Sequence, residues 1–239
     1  MIKQIQMVLF MGIFLSLIAP SLKAQKDSMK NELNETNDWP NLRRYRSENA
    51  QLQPEKNRVV FMGNSITDAW IQVSPGFFNA HPSYVDRGIS GQTTPQMLIR
   101  FRQDVIDLKP KVVLILAGIN DIAGNTGPST LDMIENNMAS MAQLAKANDI
   151  KVILCSVLPA YDIPWRAGVD PVQKIIDLNK WIKEFARKNN FIYLDYYSAM
   201  VDERKGLPAK YSKDGVHPTA VGYAVMEPMA VKAISQALR

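Results

Sequence analysis

Five short apolar runs, separated by amphipathic stretches, constrain the fold of this chain more than any other feature. The strongest run, KVVLILAG at 111–118, is continuous and rich in β-branched residues. It is what a central strand covered on both faces looks like. The other runs occupy 58–63, 84–89, 151–159 and 191–197.

The stretches between the runs place apolar residues three and four positions apart. Leu98, Phe101 and Val105 show this spacing, as do two similar stripes from 131 and 175, and a last helix is predicted over 218–237. These are the buried faces of helices. Alternation of strands and helices predicts a three-layer α/β sandwich with a five-stranded parallel sheet. Five strands that alternate with helices in this way favour the flavodoxin-like strand order 2-1-3-4-5, in which ligands bind at the carboxyl ends of the strands.

Residues 1–24 have the layout of a secretory signal peptide. Lys3 precedes an apolar run at 7–20, and Ala24 supplies a small residue at the end. The run is short for a membrane span, so an uncleaved anchor is the weaker interpretation. No cysteine follows it, so lipid modification is not expected there. We expect a secreted or periplasmic protein without stable membrane insertion after cleavage.

The remaining chain divides into a polar leader and one domain. Residues 25–57 are rich in Asn, Lys and Glu, and we expect flexible chain to about residue 37. Trp39, Leu42 and Tyr45 then stand at helical spacing, which predicts a short helix on the domain. The domain itself is predicted over 58–239, which is long enough to bury a proper core.

Charge and cysteine content exclude several classes of protein. The formal charge of +5 falls to +3 without Lys3 and Lys23, and no basic block stands out, so no nucleic-acid partner is expected. Cys155 is the single cysteine, and we interpret it as a small buried apolar residue. The only histidines are His81 and His217, so no metal site of Cys and His is predicted.

Four loops at the predicted ligand edge carry polar residues. GNSITD after the first strand presents Ser65, and RGISGQTT after the second presents Gly91. AGIND after the third presents Asn120, and DGVHPT before the last helix presents Asp214 and His217. The carboxyl ends of parallel strands lie at one edge, so the fold would bring these distant residues together.

Each of these residues has a place in ester hydrolysis. His217 can take the proton of the Ser65 hydroxyl, and Asp214 can orient the imidazole. The backbone N–H groups of Ser65 and Gly91 and the amide of Asn120 can form an oxyanion hole. Taken singly, each loop has a simpler explanation, a helix cap for Ser65 and ordinary turns for the others. The combination favours catalysis.

The motifs resemble those of the SGNH hydrolases, also called GDSL-like esterases and lipases. The resemblance spans about 58–235, and it implies roles for Ser65, Gly91, Asn120 and His217. The family's Gly-Asp-Ser is Gly-Asn-Ser here, so Asn64 replaces a carboxylate beside the nucleophile. Thr67 in place of a second Gly separates the motif from the Gly-x-Ser-x-Gly of α/β-hydrolases. The last motif has HP, followed by GY in the last predicted helix. This pair resembles the platelet-activating-factor acetylhydrolase-like branch of the family and bacterial acetyl esterases.

The resemblance implies an enzyme without metal or cofactor, acting on a small-molecule or glycan ester at an open site. Together with export, it favours acetyl esters of carbohydrate as substrates. A lysophospholipase or thioesterase on the same machinery remains an alternative, and so does a non-catalytic glycan-binding protein of this fold. Oligomeric state is not indicated by the sequence.

Several other residues have weaker indications. Tyr161, Trp165 and Arg166 lie in a long loop at 160–171 and are candidates for a substrate rim, although a packed surface loop explains them equally well. Arg87 leads into the Gly91 loop and is a candidate brace. His81 is interpreted as a loop residue, because no carboxylate motif accompanies it.

Overall fold

A five-stranded parallel sheet organises residues 38–239, which are the residues that the computed structural model describes. The predicted signal peptide and the leader to residue 37 lie outside them. The strand order is β2-β1-β3-β4-β5, which confirms the predicted flavodoxin-like arrangement. Every neighbouring pair of strands is parallel. The strands are β1 (Val59–Gly63), β2 (Tyr84–Gly88), β3 (Val112–Leu116), β4 (Lys151–Cys155) and β5 (Ile192–Leu194).

Helices connect the strands and cover the sheet. They are α1 (Arg46–Gln51), α2 (Ser65–Asp68), α3 (Trp70–Val73), α4 (Pro75–Ala80), α5 (Thr94–Asp104), α6 (Ile119–Ile122), α7 (Leu131–Ala147), α8 (Val172–Asn189), α9 (Tyr196–Met200) and α10 (Ala220–Ala237), with a 3-10 turn at Ile106–Leu108. None of these helices is long and apolar enough to cross a membrane.

The two faces of the sheet bury separate cores. In β1, Val60 and Met62 pack on one face with residues of α5, α7 and α8. Val59 and Phe61 point the other way, into a core that contains residues of α3, α4 and α10. Successive side chains of a strand alternate between faces, so this continuous apolar strand supplies both cores. The three-layer α/β sandwich predicted from the sequence is therefore the observed architecture.

The register of the central strands places the ligand edge. Gly63 at the end of β1 pairs with Gly88 on one side and with Leu116 on the other. The loops that follow β1, β2 and β3 therefore leave the sheet at one level. A side chain at Gly88 would collide with the backbone of α2, because an added Cβ would lie 2.0 Å from the amide nitrogen of Asp68.

Two strands end earlier than the apolar runs predicted. After Cys155, the amide of Asn179 bonds both the N–H and the C=O of Val157, at 2.7 and 2.9 Å, and so replaces strand pairing. After Leu194, the Asp195 carboxylate accepts the N–H of Ser198 and begins α9.

Other expectations had different outcomes. Turns occupy 39–45, where a helix was predicted, and α1 follows them. Cys155 is buried, as predicted, and this burial raises the pKa of its thiol. His81 stacks on Tyr84 at the start of β2, with ring centroids 4.6 Å apart.

Candidate active site

Ser65 occupies the first position of the short helix α2, directly after β1. The helix is capped by Asn64, whose Oδ1 accepts the N–H of Ile66 at 3.2 Å. The capping role that could have explained Ser65 therefore belongs to its neighbour. Asn64 is buried, and its amide oxygen makes the cap without a carboxylate.

A hydrogen-bonded chain runs from Ser65 through His217 to Asp214. Ser65 Oγ lies 2.8 Å from His217 Nε2, and His217 Nδ1 lies 2.7 Å from Asp214 Oδ2. Ser65 and His217 are 152 residues apart in sequence, and the fold brings them together at the ligand edge. A hydroxyl, an imidazole and a carboxylate within hydrogen-bond distance of each other can activate a nucleophile.

The local backbone holds Asp214 in place. Its Oδ1 accepts the N–H groups of Val216 and His217, at 2.9 and 2.8 Å, and the hydroxyl of Ser212 at 3.0 Å. Gly215 permits the tight turn, because its φ of +81° is in the left-handed region. Burial raises the pKa of Asp214, but the hydrogen bonds from His217 and Val216 outweigh it and bring the value to about 2. Asp214 is therefore ionised and oriented toward the imidazole.

The Gly91 loop follows β2 and is tied to the helix that carries Ser65. Asp68 Oδ2 in α2 accepts both the N–H and the hydroxyl of Ser90, at 3.1 and 2.6 Å. Gly91 has a φ of +78°, which a residue with a side chain adopts only with strain. These bonds fix the loop beside the serine.

Asn120 lies in α6 and contacts the same loop. One N–H of its amide donates to Gln92 O at 2.9 Å. The next residue, Asp121, accepts the N–H of Thr94 at 2.9 Å and its hydroxyl at 2.6 Å. Burial raises the pKa of Asp121 to about 6 against these stabilising bonds. Asn120 and Asp121 together fasten the end of β3 to the beginning of α5.

A fully buried arginine supports the loop from beneath. Arg100 in α5 donates to Gln92 Oε1 at 2.6 Å and to Gly63 O at 3.0 Å. Its third bond is to Asp104 Oδ2 at 3.1 Å, and neither side chain of this ion pair is exposed. Burial lowers the pKa of Arg100, and Asp104 opposes this effect. Arg100 thus links the residues before Ser65 to the Gly91 loop.

The three rim candidates have different positions. Trp165 lies beside His217, with ring centroids 5.7 Å apart, and it is 42% exposed. Arg166 donates to the carbonyl oxygens of Ala123 and Gly124, both at 2.8 Å, so its contacts brace a turn. Tyr161 is exposed, and its ring lies under the guanidinium of Arg204 at 5.3 Å.

The edge strand β2 carries a buried carboxyl group close to this site. Asp86 Oδ1 accepts the N–H of Gly88 at 2.7 Å. Its Oδ2 is buried and has no hydrogen-bond partner among residues 38–239. Burial raises the pKa of Asp86 to about 7, the Gly88 bond lowers it, and Asp68 raises it further.

Arg87, the candidate brace, makes its side-chain contacts outside the Gly91 loop. Its Nε donates to Asn49 Oδ1 at 2.8 Å, and its guanidinium stacks over the Tyr45 ring at 4.5 Å. It holds the leader segment, whereas Asp68 and Arg100 hold the loop. The sequence suggested a structural role for Asp68 or a place in the lining of the site, whereas Asp121 and Arg100 were not predicted as site supports. The Asp that follows Asn in GIND is a sequence signal for Asp121, but nothing in the sequence marks Arg100 as buried.

The fold and the grouping of these side chains define a carboxylic ester hydrolase of the three-layer α/β class. The chain belongs to the GDSL-like lipase/acylhydrolase family, whose model matches residues 61–225.

Similar proteins support this assignment. A crystal structure of a GDSL-like lipase from Bacteroides thetaiotaomicron has 52% sequence identity and a TM-score of 0.81, and the match covers 83% of this chain and 98% of that one. An acetylxylan esterase from Geobacillus stearothermophilus is 30% identical over 151 residues, which are 59% of this chain and 67% of the relative. Esterase TesA from Pseudomonas aeruginosa is 28% identical over 138 residues, 56% of this chain and 60% of the relative.

Proposed function

We propose that this protein is an exported serine esterase that removes acetyl groups from carbohydrate. The observation that carries the proposal is the chain of hydrogen bonds from Ser65 through His217 to Asp214, at 2.8 and 2.7 Å. No step of the proposed mechanism requires a metal or cofactor.

In the first half-reaction, Ser65 Oγ attacks the ester carbonyl while His217 Nε2 takes the hydroxyl proton. Asp214 stabilises the imidazolium through Nδ1. The tetrahedral intermediate collapses, the bond to the alcohol oxygen breaks, and His217 gives its proton to that oxygen. In the second half-reaction, water attacks the acetyl-Ser65 ester and gives a proton to His217. The bond between the acetyl carbon and Ser65 Oγ breaks, Oγ takes the proton from His217, and the acid formed leaves as acetate and a proton.

The negative charge on the former carbonyl oxygen needs donors aimed at it. We assign this role to the backbone N–H groups of Ser65 and Gly91 and to the Asn120 amide. Ser65 begins a helix, where the first N–H groups lack an intrahelical acceptor. Asn120 uses one N–H to bond Gln92 O, which orients the amide. The other N–H of the same group is then the donor to the oxyanion.

The substrate class rests on two observations. The acetylxylan esterase from Geobacillus stearothermophilus is a relative of this chain. Trp165 presents a half-exposed aromatic ring beside His217, on which a sugar ring can stack. The predicted signal peptide at 1–24 would take the enzyme to such glycans outside the cytoplasm. N-terminal sequencing of protein recovered outside the cytoplasm would test export: a chain that retains residues 1–24 refutes cleavage.

A fluorophosphonate probe with mass spectrometry, beside hydrolysis of 4-nitrophenyl acetate and acetylated xylo-oligosaccharide, tests the mechanism and the substrate. We expect the probe on Ser65 and acetate released from both esters. The matched control is Ser140→Ala, a serine of α7 whose hydroxyl donates to Asn136 O. It should keep both labelling and activity.

Other outcomes would separate the alternatives. Activity on acyl thioesters or micellar lipid, with none on acetylated sugar, would make the protein a thioesterase or lysophospholipase. Folded protein with an unlabelled Ser65 and Ser65-independent glycan binding would make it a binding protein.

A further inference from the structure

Asn125 lies in the turn after α6 and contacts three parts of the active edge. Its backbone N–H donates to Asn120 O at 3.0 Å. Its side-chain Nδ2 donates to Gly91 O at 3.2 Å, and its Oδ1 accepts the indole N–H of Trp165 at 3.1 Å. One exposed side chain therefore joins the Gly91 loop to the aromatic rim.

The turn that carries Asn125 is held from both sides. Gly124 and Gly127 have φ values of +70° and +106°, so they allow a backbone path that other residues adopt only with strain. Arg166 bonds the carbonyl oxygen of Gly124, and Thr126 Oγ1 lies 2.9 Å from Thr93 Oγ1. Asn125 therefore starts from a fixed backbone position, which a bridge between two loops requires.

We propose that Asn125 is a positioning residue that holds Gly91 and Trp165 in register across the site. A primary amide has the chemistry for this task, because it donates to a carbonyl and accepts from an indole at once. Gly91 needs such a hold, since a glycine in a loop has wide conformational freedom. This inference rests on the proposed function of Ser65, His217 and the oxyanion donors.

The contact between Asn125 and Trp165 also implies which alcohol part of a substrate ester the site prefers. The leaving oxygen must lie near His217 Nε2, because it receives its proton from there. Trp165 is beside His217, so a ring attached to that oxygen comes within reach of the indole face. The site therefore suits esters whose alcohol is a sugar ring, and Asn125 fixes where that ring sits relative to the oxyanion hole.

Two acetate esters distinguish the contact of Asn125 with Gly91 from its contact with Trp165. The alcohol part of ethyl acetate has no ring, whereas that of acetylated xylobiose consists of sugar rings, and both esters form the same acetyl-enzyme. The ratio of their kcat/KM values therefore reports the leaving group alone. Asn125→Asp keeps the acceptor for Trp165 but loses the donor to Gly91. Trp165→Phe keeps the aromatic face but loses the indole N–H.

We expect Asn125→Asp to change the rate with both esters and Trp165→Phe to change the preference between them. Asn125→Asp should lower kcat/KM on both esters by about tenfold, less than the loss of an entire oxyanion donor, with little change in their ratio. Trp165→Phe should lower kcat/KM for the sugar ester about threefold to fivefold more than kcat/KM for ethyl acetate, the effect of one ordinary hydrogen bond. Asn125→Ala should show both losses.

Controls keep structural effects apart. Asn148→Ala removes another exposed asparagine whose amide donates to a backbone carbonyl, Leu144 O at 2.8 Å, and should match the wild type. The Tm of each Asn125 variant should stay within about 4 °C of the wild type.

Ethyl acetate turnover within twofold of wild type in both Asn125 variants would overturn the role toward Gly91. An unchanged ester ratio in Trp165→Phe would overturn the role toward the rim. A wild-type enzyme inactive on both esters would instead refute the proposed function, and this inference with it.

Discussion

Replacement of Asp86 by asparagine should make the protein less sensitive to alkaline pH. Asp86 is buried in β2, and its Oδ2 has no hydrogen-bond partner among the described residues. Burial raises its pKa from 3.8 to about 7, against the bond from the Gly88 N–H. Asparagine has nearly the shape of the protonated acid, and its oxygen can still accept from Gly88.

The sign and size of the effect follow from proton linkage. Between about pH 4 and pH 7 the folded protein binds the Asp86 proton and the unfolded chain does not, so the free energy of unfolding falls as pH rises. A difference of about 3 pKa units corresponds to about 4 kcal/mol over this window. About 2.5–3 kcal/mol of it falls between pH 5 and pH 9. Asp86→Asn should lack this loss.

Urea unfolding, followed by tryptophan fluorescence at pH 5 and at pH 9, measures the difference. Other groups, including Asp121, titrate in both proteins and cancel in the comparison. Asp107→Asn, at an exposed aspartate, is the matched control and should keep the wild-type pH dependence. If the wild type and Asp86→Asn lose equal stability between pH 5 and pH 9, Asp86 is ionised in the folded protein at both values and the reasoning fails.

Four further predictions concern the site. Ser65→Ala should abolish turnover of 4-nitrophenyl acetate and keep the wild-type Tm; activity retained in that variant would refute the nucleophile. His217→Ala should lower kcat by about 10⁴–10⁶, by analogy with other triads, and a loss below tenfold would contradict a base at that position. Asp214→Ala should cost less than His217→Ala, about 10²–10⁴ in kcat, because a carbonyl or water can partly orient the imidazole; equal losses would make Asp214 as essential as the base. Arg100→Met should cost about 3–5 kcal/mol of unfolding free energy, since it leaves Asp104 as an unpaired buried charge.

A double variant separates the two roles of Arg100. Arg100→Met with Asp104→Leu removes both charges, so most of the lost stability should return. Activity should be low in both Arg100→Met and the double variant, because Gln92 Oε1 and Gly63 O lose their hydrogen bonds from the guanidinium. A double variant no more stable than Arg100→Met would contradict the ion-pair argument, and one with full activity would show that the loop needs no support from α5.

Much of the fold could be predicted because its strands are continuous apolar runs. Buried parallel strands are apolar on both faces, so β3 was evident from KVVLILAG alone. Where side-chain hydrogen bonds replace strand pairing, the apolar pattern predicted strands longer than the observed ones. Asn179, which bonds Val157 from a helix 22 residues further along the chain, ends β4, and Asp195 begins a helix inside the run that starts at 191.

The main site residues could be proposed because catalysis needs particular side chains at strand ends. The residues that hold these side chains in place could not be proposed from the sequence. Arginine is rarely buried without a partner. Asp104 lies one turn along the same helix, but the other two partners of Arg100, Gln92 and Gly63, come from separate segments that only the fold brings together. Asn125 stands in an ordinary polar turn, where its type agrees with turn formation alone. Its bonds to Gly91 and Trp165 depend on long-range geometry.

The leader segment has a consequence for solubility. β2 is an edge strand, and edge strands can pair with other chains unless they are covered. The Tyr45 hydroxyl donates to Gly88 O, and Arg87 reaches back to Asn49, so the segment from 39 to 51 lies along that edge. A chain that began after residue 52 would keep the catalytic side chains but expose a free strand edge. Such a truncation would be detected first as aggregation during expression, before any change in the rate of the remaining soluble enzyme.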